Sequence, residues 1–293
     1  MRKGAGKRSS KLCWFIAWSA VLSVVMGLAG GTGLAKTGPE VESDEEIKIE
    51  GGDEEGDEEE SVSEEESSGE VIDPEPFEQV LQRYVDEDGM VDYAGLLDSE
   101  RDRGRLNQVV RQVGQASIEN TDESAQLAFF INAYNALVIH AVLQRWPVEN
   151  VYEEEGFFDG DRHGVAGSAM TLDELDKEVI RKRFDEPRVN FVLVCAAMSC
   201  PRLRTTALTR ENLDRELQQA AEEYVPKVTR RKGENTIVTS QLFQWYSAEF
   251  EEAAGSLAAY LAQYVKSASL REVLRSEEVE IDFSDYDWAL NAQ

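Results

Sequence analysis

The chain has 293 residues, with 58 acidic and 30 basic side chains and a formal net charge of −28. That length allows one large domain or two small ones. A hydrophobic content of 42% is enough for a core and excludes a wholly disordered chain. The negative charge argues against nucleic acid as a partner, because phosphate binding needs clustered Lys and Arg. Three cysteines and two histidines leave no room for a Cys/His zinc cluster. No metal or cofactor is expected.

The charge falls into three regions. Residues 1–39 hold six basic side chains and no acid, while residues 40–75 hold 19 acids and one Lys. This leaves −16 of the total for residues 76–293. In the first region, five positive charges precede an apolar run over 12–29, and Gly33-Leu34-Ala35 fits a small-x-small cleavage site. Residues 1–35 therefore read as a signal peptide or an uncleaved membrane anchor, with membrane attachment through residues 12–29 under the second reading. Either places the remainder outside the cytoplasm, periplasmic or extracellular. Residues 36–75 read as an acidic, disordered linker, since a run such as Asp53-Glu54-Glu55-Gly56-Asp57-Glu58 repels itself and buries nothing.

The globular pattern begins at Pro76. Phe77, Val80, Leu81 and Tyr84 recur at helical spacing. Residues 84–93 read as two short strands around Asp88-Gly89. A second helix is predicted over 98–113 and a third over 122–145, ending at Trp146-Pro147. The third is apolar on nearly every side and should be the buried centre of the domain; Asn132, Asn135 and His140 disfavour a membrane span. Thr171-Leu172-Asp173-Glu174 is a capping box opening a helix to about Phe184. Val189 to Cys195 reads as a buried strand, followed by a turn through Ser199-Cys200-Pro201. A helix over 210–224, a hairpin around Lys232-Gly233-Glu234-Asn235, three more helices over 241–252, 255–265 and 270–276, and a last strand near 279–283 complete the chain. The expected fold class is α+β: a helix-rich single domain over 76–293 around a central buried helix, with a small, mainly antiparallel sheet.

Several stretches also carry a family likeness. Ala128-Phe129-Phe130-Ile131-Asn132-Ala133-Tyr134-Asn135-Ala136-Leu137, together with Val91-Asp92-Tyr93, the capping box, the run from Asp185 through Ser199-Cys200-Pro201, Phe243-Gln244-Trp245-Tyr246 and the closing Tyr286-Asp287-Trp288-Ala289-Leu290-Asn291, resembles the family called domain of unknown function 547. The likeness spans roughly residues 77–291. It implies an exported bacterial protein and a distant relation to papain-like and transglutaminase-like folds. Many members carry His where this chain has Lys177 and Asn190, so chemistry resting on those histidines is missing here.

Cys195 is the sharpest candidate for chemistry, as a thiol nucleophile entering a turn whose backbone N–H groups suit an oxyanion. The candidate bases are His140 and His163. Strand alternation would point position 190 away from the thiol. Two further readings stand beside catalysis: a Cys195–Cys200 disulfide in an oxidising compartment, or two buried reduced thiols. Asn132 and Asn135, three apart on one helix face, are candidates for a pocket wall or for a clamp on a neighbouring loop. Arg188 suits a carboxylate clamp or an ion pair with an acid of the domain, and Ser199 is counted with the pocket residues. Trp245, Tyr246, Tyr286 and Trp288 read as core and interface rings. The leading expectation is a non-catalytic or degenerate binding module whose partner is an envelope protein or a peptide-like ligand. The alternative is a thiol-dependent hydrolase or acyl transferase with Cys195 as nucleophile.

Overall fold

A computed structural model describes residues 70–293. The predicted export segment and most of the acidic linker lie outside the described residues.

The fold is α+β and helix-rich. Helices α1 (Glu75–Tyr84), α2 (Tyr93–Asp98) and α3 (Glu100–Gln115) lead into the central α4 (Glu123–Arg145). Asp122 caps α4 by accepting from the Ala125 N–H, and Pro147 follows its last turn, where the amide needed to continue is missing. Seventeen of its 23 residues are buried. The helix is long and apolar enough to cross a membrane, yet 89% of its most apolar stretch is covered by the rest of the protein.

A hairpin, β1 (His163–Val165) and β2 (Ser168–Met170), packs on the C-terminal end of α3. The capping box at Thr171 and Glu174 forms in full and starts α5 (Leu172–Glu174). The chain passes through a π-helical turn (Leu175–Ile180) into α6 (Arg181–Arg183). Next come α7 (Leu213–Val228), β3 (Arg230–Arg231), β4 (Thr236–Ser240), α8 (Leu242–Trp245), α9 (Ser247–Ala254), α10 (Leu257–Tyr264), α11 (Ala268–Leu274) and β5 (Glu280–Ser284). The predicted hairpin is the β3–β4 pair, and β5 then joins β4 in parallel over five residue pairs. One small sheet is thus antiparallel and the other mixed.

Two sequence expectations are corrected. Val189 to Cys195 is not a strand: Pro187–Phe191 is a 3₁₀ turn, and irregular chain follows to Cys195. Pro187 presets the first turn, the Asn190 amide donates back to the Pro187 carbonyl at 3.0 Å, and Asn135 takes the place of a neighbouring strand by bonding both Val192 O and Val194 N. The alternation argument for position 190 falls with the strand. Residues 84–93 form a single bridge, Val85 to Val91, rather than two strands, because Asp92 caps α2 immediately afterwards. Gly89 makes that turn possible. Its φ is +83°, and a Cβ there would lie 2.6 Å from the Leu203 nitrogen.

The C-terminal segment stitches distant loops together. Ala289 bridges Asn150, Leu290 bridges Ala197, and Ala292 bridges Val91. The Asn291 side chain accepts from Tyr93 Oη at 2.8 Å and donates to Gly89 O. These pairings bring residues 148–160 and 195–200 against 284–291, and Trp245 joins them through its ring contacts with Tyr286 and Trp288.

Candidate functional site

The turn after the irregular segment is closed by a disulfide. Cys195 and Cys200 are bonded, with their Cα atoms 6.4 Å apart. Between them Ala196 adopts φ +61°, a left-handed conformation costly for a residue with a Cβ. Backbone pairing holds it there: Asn291 N–H donates to Ala196 O, Met198 N–H to Ala289 O, and Cys200 N–H to Ala197 O. Ser199 locks the same turn, its Oγ accepting from the Asp287 N–H at 2.9 Å and its carbonyl accepting from Tyr224 Oη. The Tyr286 hydroxyl lies 3.5 Å from Cys195 Sγ and 3.3 Å from Cys200 Sγ. Burial, with smaller contributions from Tyr224 and Tyr246, pushes this phenol well above its ordinary range. It is therefore a neutral donor near pH 7 and not a base.

Over this turn runs a row of rings. Trp288 packs on Tyr286 at 4.7 Å, on Trp245 at 5.7 Å and on Tyr152 at 5.1 Å between centroids, and Phe158 meets its edge at 6.2 Å. Tyr286, Trp245, Trp288 and Phe158 are half-buried. The large apolar side chains that stand exposed among the described residues are Tyr152, at 55%, and Met198, at 47%. Both lie here, because Val151 N–H bonds Trp288 O and Met198 N–H bonds Ala289 O. The result is an aromatic ledge with a cystine at its base.

Behind the ledge sits a buried ionic cluster. Arg181 donates to Asp176 at 2.8 Å, to Glu249 at 2.8 Å and to Asn190 at 3.0 Å, and its guanidinium lies 3.6 Å from the Tyr246 ring centre. Burial raises the Asp176 carboxyl above its ordinary value, against the pull of Arg181 and Lys177. The π-helical turn carries Asp176 inward to this position. Every polar member of the cluster has a partner, so it fixes α6 and α9 against the 3₁₀ turn at 187–191 rather than offering a vacant group. Lys177 pairs with Asp173 at 2.6 Å.

The other residues singled out in the sequence lie apart from the ledge. Asn132 bonds both the amide and the carbonyl of Leu208, and Asn135 does the same service for Val192 and Val194. Both amides are consumed in clamping loops to α4. Arg188 pairs with Glu186 at 2.6 Å and with Asp214 at 2.9 Å. His140 and His163 are near enough to oppose each other's charge: burial, then His163, lowers His140, while burial lowers His163 against Asp161. His140 Nδ1 and His163 Nε2 are buried without a hydrogen-bond partner. Among the described residues, the polar contacts of Cys195 are with Cys200 and Tyr286, and neither imidazole is among them. The ledge itself escaped sequence reading, since Trp245, Tyr286 and Trp288 read there as core and interface rings. Tyr152, set in the charged stretch Glu149 to Glu155, was the available signal: a lone ring amid acids has no core to enter.

Comparison with known proteins finds a family match in the central part of this chain. Residues 118–225 match the family described as protein of unknown function, DUF547. The match covers α4, the β1–β2 hairpin, Asp176, Arg181 and Asn190 of the ionic cluster and the cystine turn, and ends within α7. No curated protein and no solved structure matches the chain.

Proposed function

We propose that this protein is an exported, non-catalytic binding module of the bacterial cell envelope, which takes its ligand on the aromatic ledge of Tyr152, Trp288, Trp245 and Tyr286. The observation that carries this reading is the exposed Tyr152 packed on a row of half-buried rings, with the exposed Met198 joined by its backbone to the same C-terminal segment. Exposed rings in a row supply contact area with little side-chain entropy to lose, as binding surfaces require. The basic and apolar N-terminal segment supports export, and a disulfide agrees with an oxidising compartment.

The competing reading makes Cys195 the nucleophile of a hydrolase or acyl transferase acting on a peptide-like bond. Such a thiol needs a base and an ionisable sulfur. Here the sulfur is bonded to Cys200, and the group beside it is a neutral phenol.

The test uses the full chain mixed with washed bacterial envelope fragments and sedimented, before and after iodoacetamide treatment without reductant. The binding reading expects retention in the pellet, no alkylation at Cys195 or Cys200 and no change in retention. Rapid single alkylation at Cys195, or a chain that stays in the supernatant, would contradict it.

A further inference from the structure

The ledge has a charge as well as a shape. Its two outer loops, residues 148–160 and 284–293, contain no Lys or Arg. Their exposed carboxylates are Glu149, Glu153, Glu155, Asp159, Asp285 and Asp287. Four of them adjoin a ledge ring in the chain: Glu153 follows Tyr152, Asp159 follows Phe158, and Asp285 and Asp287 flank Tyr286. Among the described residues, none of the six pairs with a cationic side chain. Elsewhere in this acidic domain, Arg181, Arg188, Arg202 and Arg204 are each taken up by carboxylates. The cations of the domain are thus spent on carboxylates that build structure, and the acids beside the rings have none, although Asp287 accepts from the Ala289 N–H at 3.0 Å.

Ring faces carry negative potential and attract cations. A surrounding fringe of carboxylates adds to that field within a Debye length of about 8 Å at physiological salt. The acids are spread along the rim rather than converging: among the described residues, no three His, Cys, Asp or Glu side chains form a metal-ligand group. Spread charge beside aromatic faces suits organic cations several ångströms apart. Tyr152 and Trp245 meet Trp288 from different contacts, at 5.1 and 5.7 Å, so the row is on the order of 10 Å long, the length of about three residues of extended chain.

On the proposal that the ledge is the binding surface, we infer that its ligand is a lysine-bearing, extended peptide segment. The ammonium groups lie toward Glu153, Asp285 and Asp287, and the methylene stems lie over Trp288 and Tyr152. The fully bonded turn at 195–200 and the clamped C-terminal segment hold the rings in place before the ligand arrives, which lowers the ordering cost of binding.

The experiment follows tryptophan fluorescence of the full chain during titration with tetralysine, with tetralysine acetylated on every side chain, and with choline. Tetralysine is expected to bind at least about tenfold more tightly than either of the others, and to weaken steeply between about 0.05 and 0.5 M NaCl. The triple variant Glu153→Gln, Asp285→Asn, Asp287→Asn should lose most of that binding. The triple variant Glu100→Gln, Glu234→Gln, Glu277→Gln, which removes the same charge outside both loops, should keep it. Equal binding of the acetylated peptide, equal binding of choline, or equal loss in both triple variants would overturn the inference. Retention on envelope fragments alongside any of these results would leave the ledge as a binding surface and remove only its cationic ligand.

Discussion

Two regions of this protein treat polar and aromatic groups in opposite ways. Around α4, the asparagine amides and the aromatic rings are used to hold the fold. Asn132 and Asn135 each make two bonds to loop backbone, and Phe191 is enclosed by Tyr224, Phe243, Phe250 and Tyr260. On the ledge, rings of the same kind stand half in water beside carboxylates that pair with no cation. The contrast teaches where to look for function here. A group whose bonding is complete is holding the fold. A ring the fold has positioned firmly and then left half in water is available to a ligand.

That comparison is sharpened first in the interior, where the largest losses are expected. Phe191→Ala removes a fully buried ring and should lower unfolding free energy by about 4 kcal/mol in urea denaturation. Asn135→Ala strands Val192 O and Val194 N in the core and should cost about 3 kcal/mol by the same measurement. A loss under about 1 kcal/mol in either would mean the interior is less tightly closed than described.

Reduction of Cys195–Cys200 comes next. With a sequence separation of only five, loop-closure entropy suggests a loss of about 2 kcal/mol. Thermal melts with and without a phosphine reductant measure it. A collapse of the fold on reduction would instead make the disulfide essential to the domain.

The smallest effect belongs to the histidines. His140 and His163 both lie below their ordinary value of 6.5, chiefly through burial. The unfolded chain therefore takes up protons first. Their contribution is constant above pH 7 and turns against the folded state as pH falls through 6.5 toward the lowered values. The raised Asp176 has the opposite sign, its folded form gaining protons first as pH falls. Comparing melting temperatures at pH 7.5 and 5.5 for the native chain and for His140→Gln with His163→Gln isolates the imidazoles. The native chain should lose more on acidification than the double variant, and an equal loss would show that the pair is not the source.

Much of the interior was legible in the sequence because its signals are local. The all-round apolarity of 122–145, the Asp122 cap, Pro147 and the Thr171 capping box each act within a few residues, and α4 and α5 form where they indicate. Val189 to Cys195 misled because an apolar run is equally suited to a strand and to a buried irregular segment, and the deciding partner, Asn135, is 57 to 59 residues away. The ledge was illegible for a related reason. Its rings come from three separate segments, and the bridges that gather them and the cystine turn, such as Asn150 to Ala289 and Ala197 to Leu290, join residues far apart in the chain. Sequence spacing carries no record of such pairings.

The most direct test of the account is Tyr152→Ala, because Tyr152 is the ring most exposed on the ledge and contributes least to the core. Melting temperature and retention on washed envelope fragments are measured together in the full chain. The account predicts a melting temperature within about 2 °C of the native chain and a several-fold fall in retention. Retention unchanged in a protein that melts normally would contradict it.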